Sequence, residues 1–278
     1  MTGERALPNA MATLPALFIS HGSPMHALEA GAAGAAWAGL ARSLPRPRAI
    51  LISSAHWETN VPMLTGHARP ETIHDFSGFP EPLYRLRYPA PGSPELAQRA
   101  RGLLGEAGFT AAIDGSRGLD HGAWSPLLHM YPQADLPVVQ LSLQTELGPR
   151  HHYRLGRALA PLADEGVLVV GSGHMTHNLR DWVRGARGAS PAPYAKEFQS
   201  WVHDRIEAGD HEALIEYRSR APHAVRAHPT DEHFLPLFFA LGAGGPASHP
   251  ARVYDAIEDG ALAMDAYAFH PAPVTAEA

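Results

Sequence analysis

Histidine is the residue type whose placement in this chain invites chemistry. The run Pro15-Ala16-Leu17-Phe18-Ile19-Ser20 leads into His21, and Ala49-Ile50-Leu51-Ile52-Ser53-Ser54-Ala55 leads into His56. A third run, Val167-Leu168-Val169-Val170-Gly171-Ser172-Gly173, leads into His174, with His177 three residues on. Short β-branched runs bounded by Gly and Ser read as buried strands. In an open α/β sheet, ligands collect at the carboxyl ends of the strands. Imidazoles at three such ends would converge on one crevice, and converging imidazoles are the commonest way to hold a transition metal. The pattern predicts a mononuclear metalloenzyme. With 18 His among 278 residues, a strand end also carries one by accident, so each position keeps a plain alternative as a turn residue.

The neighbours of these histidines sharpen the reading. Gly22, in Ser20-His21-Gly22-Ser23-Pro24, lets the chain turn sharply beside an ion, and small neighbours leave room for a ligand. Trp57 follows His56 and is expected to wall the pocket from bulk water. Gly171-Ser172-Gly173 after a strand begins like a dinucleotide fingerprint, but Thr176 stands where the third glycine belongs, which excludes a Rossmann site. His174 and His177 share a face of a helical turn, where only one need point inward.

Thr230-Asp231-Glu232-His233 precedes the apolar Phe234-Leu235-Pro236-Leu237-Phe238-Phe239. Thr230 reads as the N-cap of a helix over 231–241, which puts His233 at its third position; the same residues could be a helix start and nothing more. His121, in Asp120-His121-Gly122, could be a proton shuttle, an orienting donor or a turn residue. Asp75, Asp120 and Glu232 are the carboxylates available as an oxygen ligand. His26, His67, His129, His151, His152, His203, His211, His223, His249 and His270 read as surface or packing residues. No H-E-x-x-H and no G-x-S-x-G occurs, which argues against a zincin and a nucleophile elbow.

The elements that must position these residues alternate between strand and helix. A helix over 27–42 is stopped by Leu44-Pro45-Arg46-Pro47, and strand 49–55 has a partner near 61–65. Residues 66–93, rich in Pro, Gly and aromatics, are predicted to form a binding loop or lid. Ser93 and Pro94 open a helix to about 105. A loop at 120–124 precedes a short helix, strand 137–143 follows, and helix 149–164 leads into strand 167–172. Helices are predicted over 192–208, 210–219 and 231–241, then strands near 252–256 and 262–269. With no repeat and no compositional break, the prediction is a frayed leader at 1–12 and one domain at 13–275. Its class is α/β, a three-layer α/β/α sandwich around a mainly parallel or mixed sheet.

Composition narrows the function. A hydrophobic content of 45% and a charged content of 18% are those of a globular protein. A net charge of -6 argues against nucleic acid as a partner, because there is no basic excess to displace counterions. No run approaches 18 apolar residues, so no membrane span is expected. The absence of Cys excludes thiolate zinc and iron–sulfur sites and fits a cytoplasmic protein. A single lysine, Lys196, and the lack of a Walker loop speak against Schiff-base and P-loop chemistry. Monomer and homodimer both remain open.

Seven motifs in register carry a resemblance: Ser20-His21-Gly22-Ser23-Pro24, Ser54-Ala55-His56-Trp57, His74-Asp75-Phe76-Ser77-Gly78-Phe79, Tyr88-Pro89-Ala90-Pro91-Gly92, Asp120-His121-Gly122-Ala123-Trp124, His177-Asn178-Leu179 and Glu232-His233. From about residue 14 to the C-terminus the chain resembles the class III extradiol ring-cleavage dioxygenases. The similarity is greatest to the DOPA 4,5-dioxygenase-like branch, related to the catalytic subunit of protocatechuate 4,5-dioxygenase. The resemblance implies metal ligands at His21, His56 and His233, with His177 as acid/base or fourth ligand and His121 bonding substrate or oxygen. Nothing carries over to His174. In better-studied relatives the third ligand is a glutamate, so Glu232 competes with His233.

The resemblance further implies substrate contacts from Ser23, Pro24, Trp57, Asp75, Phe76, Phe79, Trp124 and Asn178. The implied reaction opens a catechol ring with O2 to a semialdehyde, using Fe(II), although Zn(II) suits three or four imidazoles equally well. A mononuclear zinc hydrolase on the same histidines and a metal-stabilised binding protein are the alternatives.

Overall fold

Alternation along the central strands sorts their side chains into two cores, one on each face of the sheet. The computed structural model describes residues 13–184 and 188–272. The expected leader at 1–12 and residues 273–275 of the predicted domain lie outside them. Among the described residues the strands are β1 Ala16–Ser20, β2 Ala49–Glu58, β3 Met63–Thr65, β4 Ala112–Asp114 and β5 Val138–Leu143, followed by β6 Val167–Gly173, β7 His249–Tyr254, β8 Ile257–Glu258, β9 Leu262–Ala263 and β10 Ala266–His270.

All but β8 and β9 form one sheet in the order β4-β3-β5-β2-β6-β1-β10-β7, while β8 and β9 form a separate hairpin. The central run β5-β2-β6-β1 is parallel. β10 is antiparallel to β1 and β7, and β3 to β5, so the sheet is mixed.

Leu17, Ile19, Ile50, Ile52, Val138, Leu168 and Val170 point to one face, covered by helices Gly31–Ser43 and His121–Met130. Phe18, Leu51, Val139, Leu141 and Val169 point to the other, covered by helices Pro94–Glu106, Gly148–Leu159, Pro193–Glu207 and Leu235–Gly244. The period of two in the strand residues thus produces the three layers. Helix Leu235–Gly244 is buried from Leu235 to Ala243 and lies directly on β6. A Cβ at Gly171 would sit 2.0 Å from the Pro236 carbonyl oxygen, and one at Gly173 would sit 2.2 Å from that of His233. The Gly-Ser-Gly of β6 therefore serves backbone packing, with no phosphate involved.

Several elements differ from expectation. β2 runs to Glu58, so His56 lies within the strand, beyond a register irregularity that starts after Ser53. The helix expected over 231–241 begins at Leu235, because Pro236 occupies its first turn. Thr230 does not cap it; its hydroxyl donates to Glu232 Oε1 at 3.1 Å. Residues 66–93 contain the short helix Glu81–Arg85. Strand β4 and helix Leu179–Arg184 were not anticipated.

Candidate functional site

His21 follows the last residue of β1, His56 lies near the end of β2 and His174 follows β6, three neighbouring parallel strands. His233 arrives from the other layer on the turn before helix Leu235–Gly244. Its carbonyl accepts from His174 N at 2.7 Å, the approach that Gly173 leaves room for. His121 is the first residue of helix His121–Met130, whose N-cap is Asp120. Gly122 lets that helix start press on β2, since a Cβ there would meet Ser54 Oγ at 2.3 Å and His56 Cδ2 at 2.9 Å. His177 sits in the turn after β6, where its N–H donates to Ala227 O at 2.9 Å.

Asp120 locks this corner from below. Fully buried, it accepts from Ser54 Oγ at 2.7 Å, from Gln140 Nε2 and from Arg117 at 3.3 Å. Arg117 also donates to His56 O at 3.2 Å.

The tautomers follow from the partners. Ser172 Oγ donates to the Gly122 carbonyl, so it must accept from His21 Nδ1, 3.0 Å away. Glu232 Oε1 can only accept, so the proton at 2.8 Å resides on His233 Nδ1. Both rings are left with a lone pair on Nε2. His21 Nε2 lies 3.1 Å from His56 Nε2, which lies 3.3 Å from His233 Nε2. One proton on His56 Nε2 could satisfy at most one of its two neighbours, whereas a cation among the three nitrogens satisfies all of them. The separations suit donors sharing one ion at about 2.0–2.1 Å, with the outward nitrogens anchored as in metal-binding histidines. The donor set therefore fits a divalent transition metal. Glu232 lies behind His233, on its Nδ1 side.

Asp75 serves His121 similarly: Oδ1 accepts from its backbone N at 2.8 Å and Oδ2 from its Nδ1 at 2.9 Å. Oδ2 also lies 3.5 Å from His56 Nδ1. Burial opposes ionisation of Asp75, but the bonds and charge of His121, with His56, hold its carboxyl at about 2. Burial pushes the imidazoles down, and their mutual proximity adds to it: His21, His174 and His233 lie well below the usual value. His56 falls to about 4 and His177 to about 3 for the same reasons. Neutral imidazole is the form that binds a metal. The His177 ring stacks on His233 at 3.4 Å and 15°, with its Nδ1 3.9 Å from Glu232 Oε1.

A cavity of about 270 Å³ opens over these nitrogens. It is lined by His21, His56, His121, His174, His177 and His233, and by Ser23, Pro24, Asp75, Phe76 and Phe79. Trp57, Trp124 and Asn178 do not line it. Trp57 follows His56 in a strand, so it points to the opposite face, where Arg117 lies 4.7 Å from its ring. Trp124 is buried behind Phe76 and donates to Ile73 O at 2.8 Å. Asn178 donates to Arg226 O at 2.7 Å and accepts from Asp181 N at 3.1 Å, which starts helix Leu179–Arg184. Two wall residues had no sequence signal, Trp182 and Leu262; Leu179, also in the wall, stands in the His177-Asn178-Leu179 motif, but no role was assigned to it. His174, to which the resemblance assigned nothing, is also part of the wall.

Residues 15–258 match the family described as the catalytic LigB subunit of aromatic ring-opening dioxygenase. The chain is 44% identical over 256 residues to a 4,5-DOPA dioxygenase extradiol of Beta vulgaris, spanning 91% of this chain and 95% of that one. It is 42% identical over 254 residues to a 4,5-DOPA dioxygenase extradiol of Escherichia coli (strain K12), spanning 90% and 93%. The crystal structure of an uncharacterized protein from Escherichia coli K12 superposes with a TM-score of 0.78 at 37% identity, covering 92% of this chain and 99% of that one.

Proposed function

From the premise that the chain belongs to the family of catalytic LigB subunits of aromatic ring-opening dioxygenases, and is an extradiol ring-cleavage dioxygenase, we propose the metal, substrate and residue roles that follow. The ion is Fe(II), held by the Nε2 atoms of His21, His56 and His233. The substrate is a catechol with a ring substituent, of the kind that the relatives' name, DOPA dioxygenase, denotes. The convergence of three imidazole Nε2 atoms at 3.1 and 3.3 Å, with the lone pairs of His21 and His233 both turned toward His56, carries this reading. Family membership lends no support to a zinc hydrolase, and zinc has no redox chemistry with which to pass electrons to O2.

Bound iron supplies the redox path by which the electrons of a deprotonated catechol reach dioxygen, so that the ring opens beside the diol and both oxygen atoms enter the product. The chain's own residues do the rest. His177 lines the cavity and takes a catechol proton; the Glu232 carboxylate, 3.9 Å from its Nδ1, stabilises the resulting imidazolium. His121 turns Nε2 to a hydrogen bond with the substrate, because Asp75 occupies its Nδ1. Phe76, Phe79 and Pro24 flank the planar ring. Ser23 caps the 3-10 turn Pro24–Ala27, its side chain accepting from Met25 N, and so shapes the same rim.

Among the described residues no helix is long and apolar enough to cross a membrane. The test is anaerobic loading with Fe(II) or Zn(II), then addition of O2 and a catechol panel. Oxygen uptake with a yellow ring-opened product is expected from the Fe(II) protein alone. Absence of both across the panel rejects the reading.

A further inference from the structure

Trp182, a wall residue with no sequence signal, is held by a device outside the metal cluster. Its Nε1 donates to Asp259 Oδ2 at 3.1 Å, and Asp259 Oδ1 accepts from Gly188 N at 2.9 Å. Asp259 and Gly260 form the tip of the β8–β9 hairpin, with φ of 47° and 74°, the Asp-Gly pair that a tight hairpin turn demands. The hairpin is tied down at further points. Glu258 bonds His26 Nε2 at 2.9 Å, in the turn that carries Pro24. The Thr176 hydroxyl, between His174 and His177, donates to Ala261 O at 2.8 Å and accepts from Ala263 N at 2.7 Å. Leu262, between these two anchors, reaches the cavity itself. Three stretches of cavity wall therefore meet on one small hairpin. Among the described residues lining the cavity there is no Lys or Arg; Asp75 and Ser23 are its polar side chains besides the imidazoles, and the side chains of the remaining wall are apolar: Pro24, Phe76, Phe79, Leu179, Trp182 and Leu262.

We propose that Trp182, positioned by Asp259 and flanked by Leu262, selects the ring substituent of the catechol, and that the substituent it takes is apolar next to the ring. This rests on the catechol reading above. Each buried methylene is worth about fourfold in an equilibrium constant, so a propyl chain laid against this wall gains about tenfold or more. Asp259 acts only through the indole.

The experiment compares catechol with 4-propylcatechol on the metal-loaded protein, as kcat/KM from oxygen uptake and as Kd from anaerobic calorimetry. The wild type prefers the propyl compound by about tenfold in both. Trp182→Ala and Asp259→Ala bring the ratio near one. Asp259→Asn tolerates the left-handed backbone and keeps one acceptor oxygen, which can turn to the indole at the expense of the bond from Gly188 N, so it retains more of the ratio than Asp259→Ala does. No preference in the wild type, an unchanged ratio in Trp182→Ala, or equal losses in Asp259→Asn and Asp259→Ala overturns the proposal. The Kd ratio decides it whether or not the ring opens. Selective binding without oxygen uptake sinks the dioxygenase reading and leaves this one standing.

Discussion

His152 and His228 are buried as completely as His21 and His233, and burial lowers all four below the usual imidazole value. Their nitrogens are used differently. His152 spends both: Nδ1 donates to Gly148 O at 2.7 Å and Nε2 accepts from Gln144 N at 3.2 Å. His228 donates from Nε2 to Met175 O at 2.9 Å while its ring stacks on Phe234 at 4.6 Å. In the cluster, His21 and His233 each spend one nitrogen on a protein partner and turn the other toward a common point. Burial and a lowered pKa are thus shared by scaffold and site. What separates them is where a lone pair is left over: His152 has none, His228 Nδ1 is buried without a partner, and those of His21 and His233 both face His56.

The strongest test of this contrast is His21→Ala, expected to reduce both metal content and ring cleavage to background, read by metal analysis and oxygen uptake. Retention of a full metal complement would break the comparison. His177→Ala should keep the metal and lose about 10²- to 10⁴-fold in kcat/KM, the range for removal of a general base. Loss of the ion as well would make His177 a fourth ligand. Asp75→Asn should cost about 10- to 100-fold in kcat with metal content near normal, because His121 loses the partner that sets its tautomer. On the scaffold side, His152→Ala should leave metal content and turnover unchanged. It should lower unfolding free energy by about 1–3 kcal/mol, because Gln144 N and Gly148 O lose their partner.

A further test lies in the pH dependence of stability. His152 and His228 titrate at about 3 in the folded chain and near 6.5 when unfolded. Above about pH 6.5 both states are neutral and stability is level. As pH falls toward 3 the unfolded chain binds protons that the folded chain refuses, so stability declines, by up to about 1.4 kcal/mol per pH unit for each group. Thermal unfolding of the metal-free protein between pH 8 and 4 should show the decline, and His152→Ala should make it shallower.

Much of this was legible in the chain. The β-branched runs before His21, His56 and His174 marked three strands and the edge where they end. The layers followed from their alternation, visible in Leu17 against Phe18 and Ile50 against Leu51. The same period could have placed Trp57, since a residue next to an inward His56 must face away. His233 was harder, because its position depends on a helix pressed against glycines 150 residues from His21, and Pro236 delays that helix beyond the apparent Thr230 cap. Trp182 and Leu262 gave no signal, as each reaches the cavity through contacts across the chain that no local pattern records.

The bare backbone at Gly171 and Gly173 has a practical corollary for anyone redesigning this scaffold. A single methyl group added there would act as a wedge under the segment that delivers His233, and would disable the centre from a position that touches neither ion nor substrate. Stabilisation campaigns that routinely exchange glycine for alanine should leave this strand alone. Libraries aimed at new substrates can vary Trp182 and Leu262 while the hairpin's anchors and the wedge-sensitive strand stay constant.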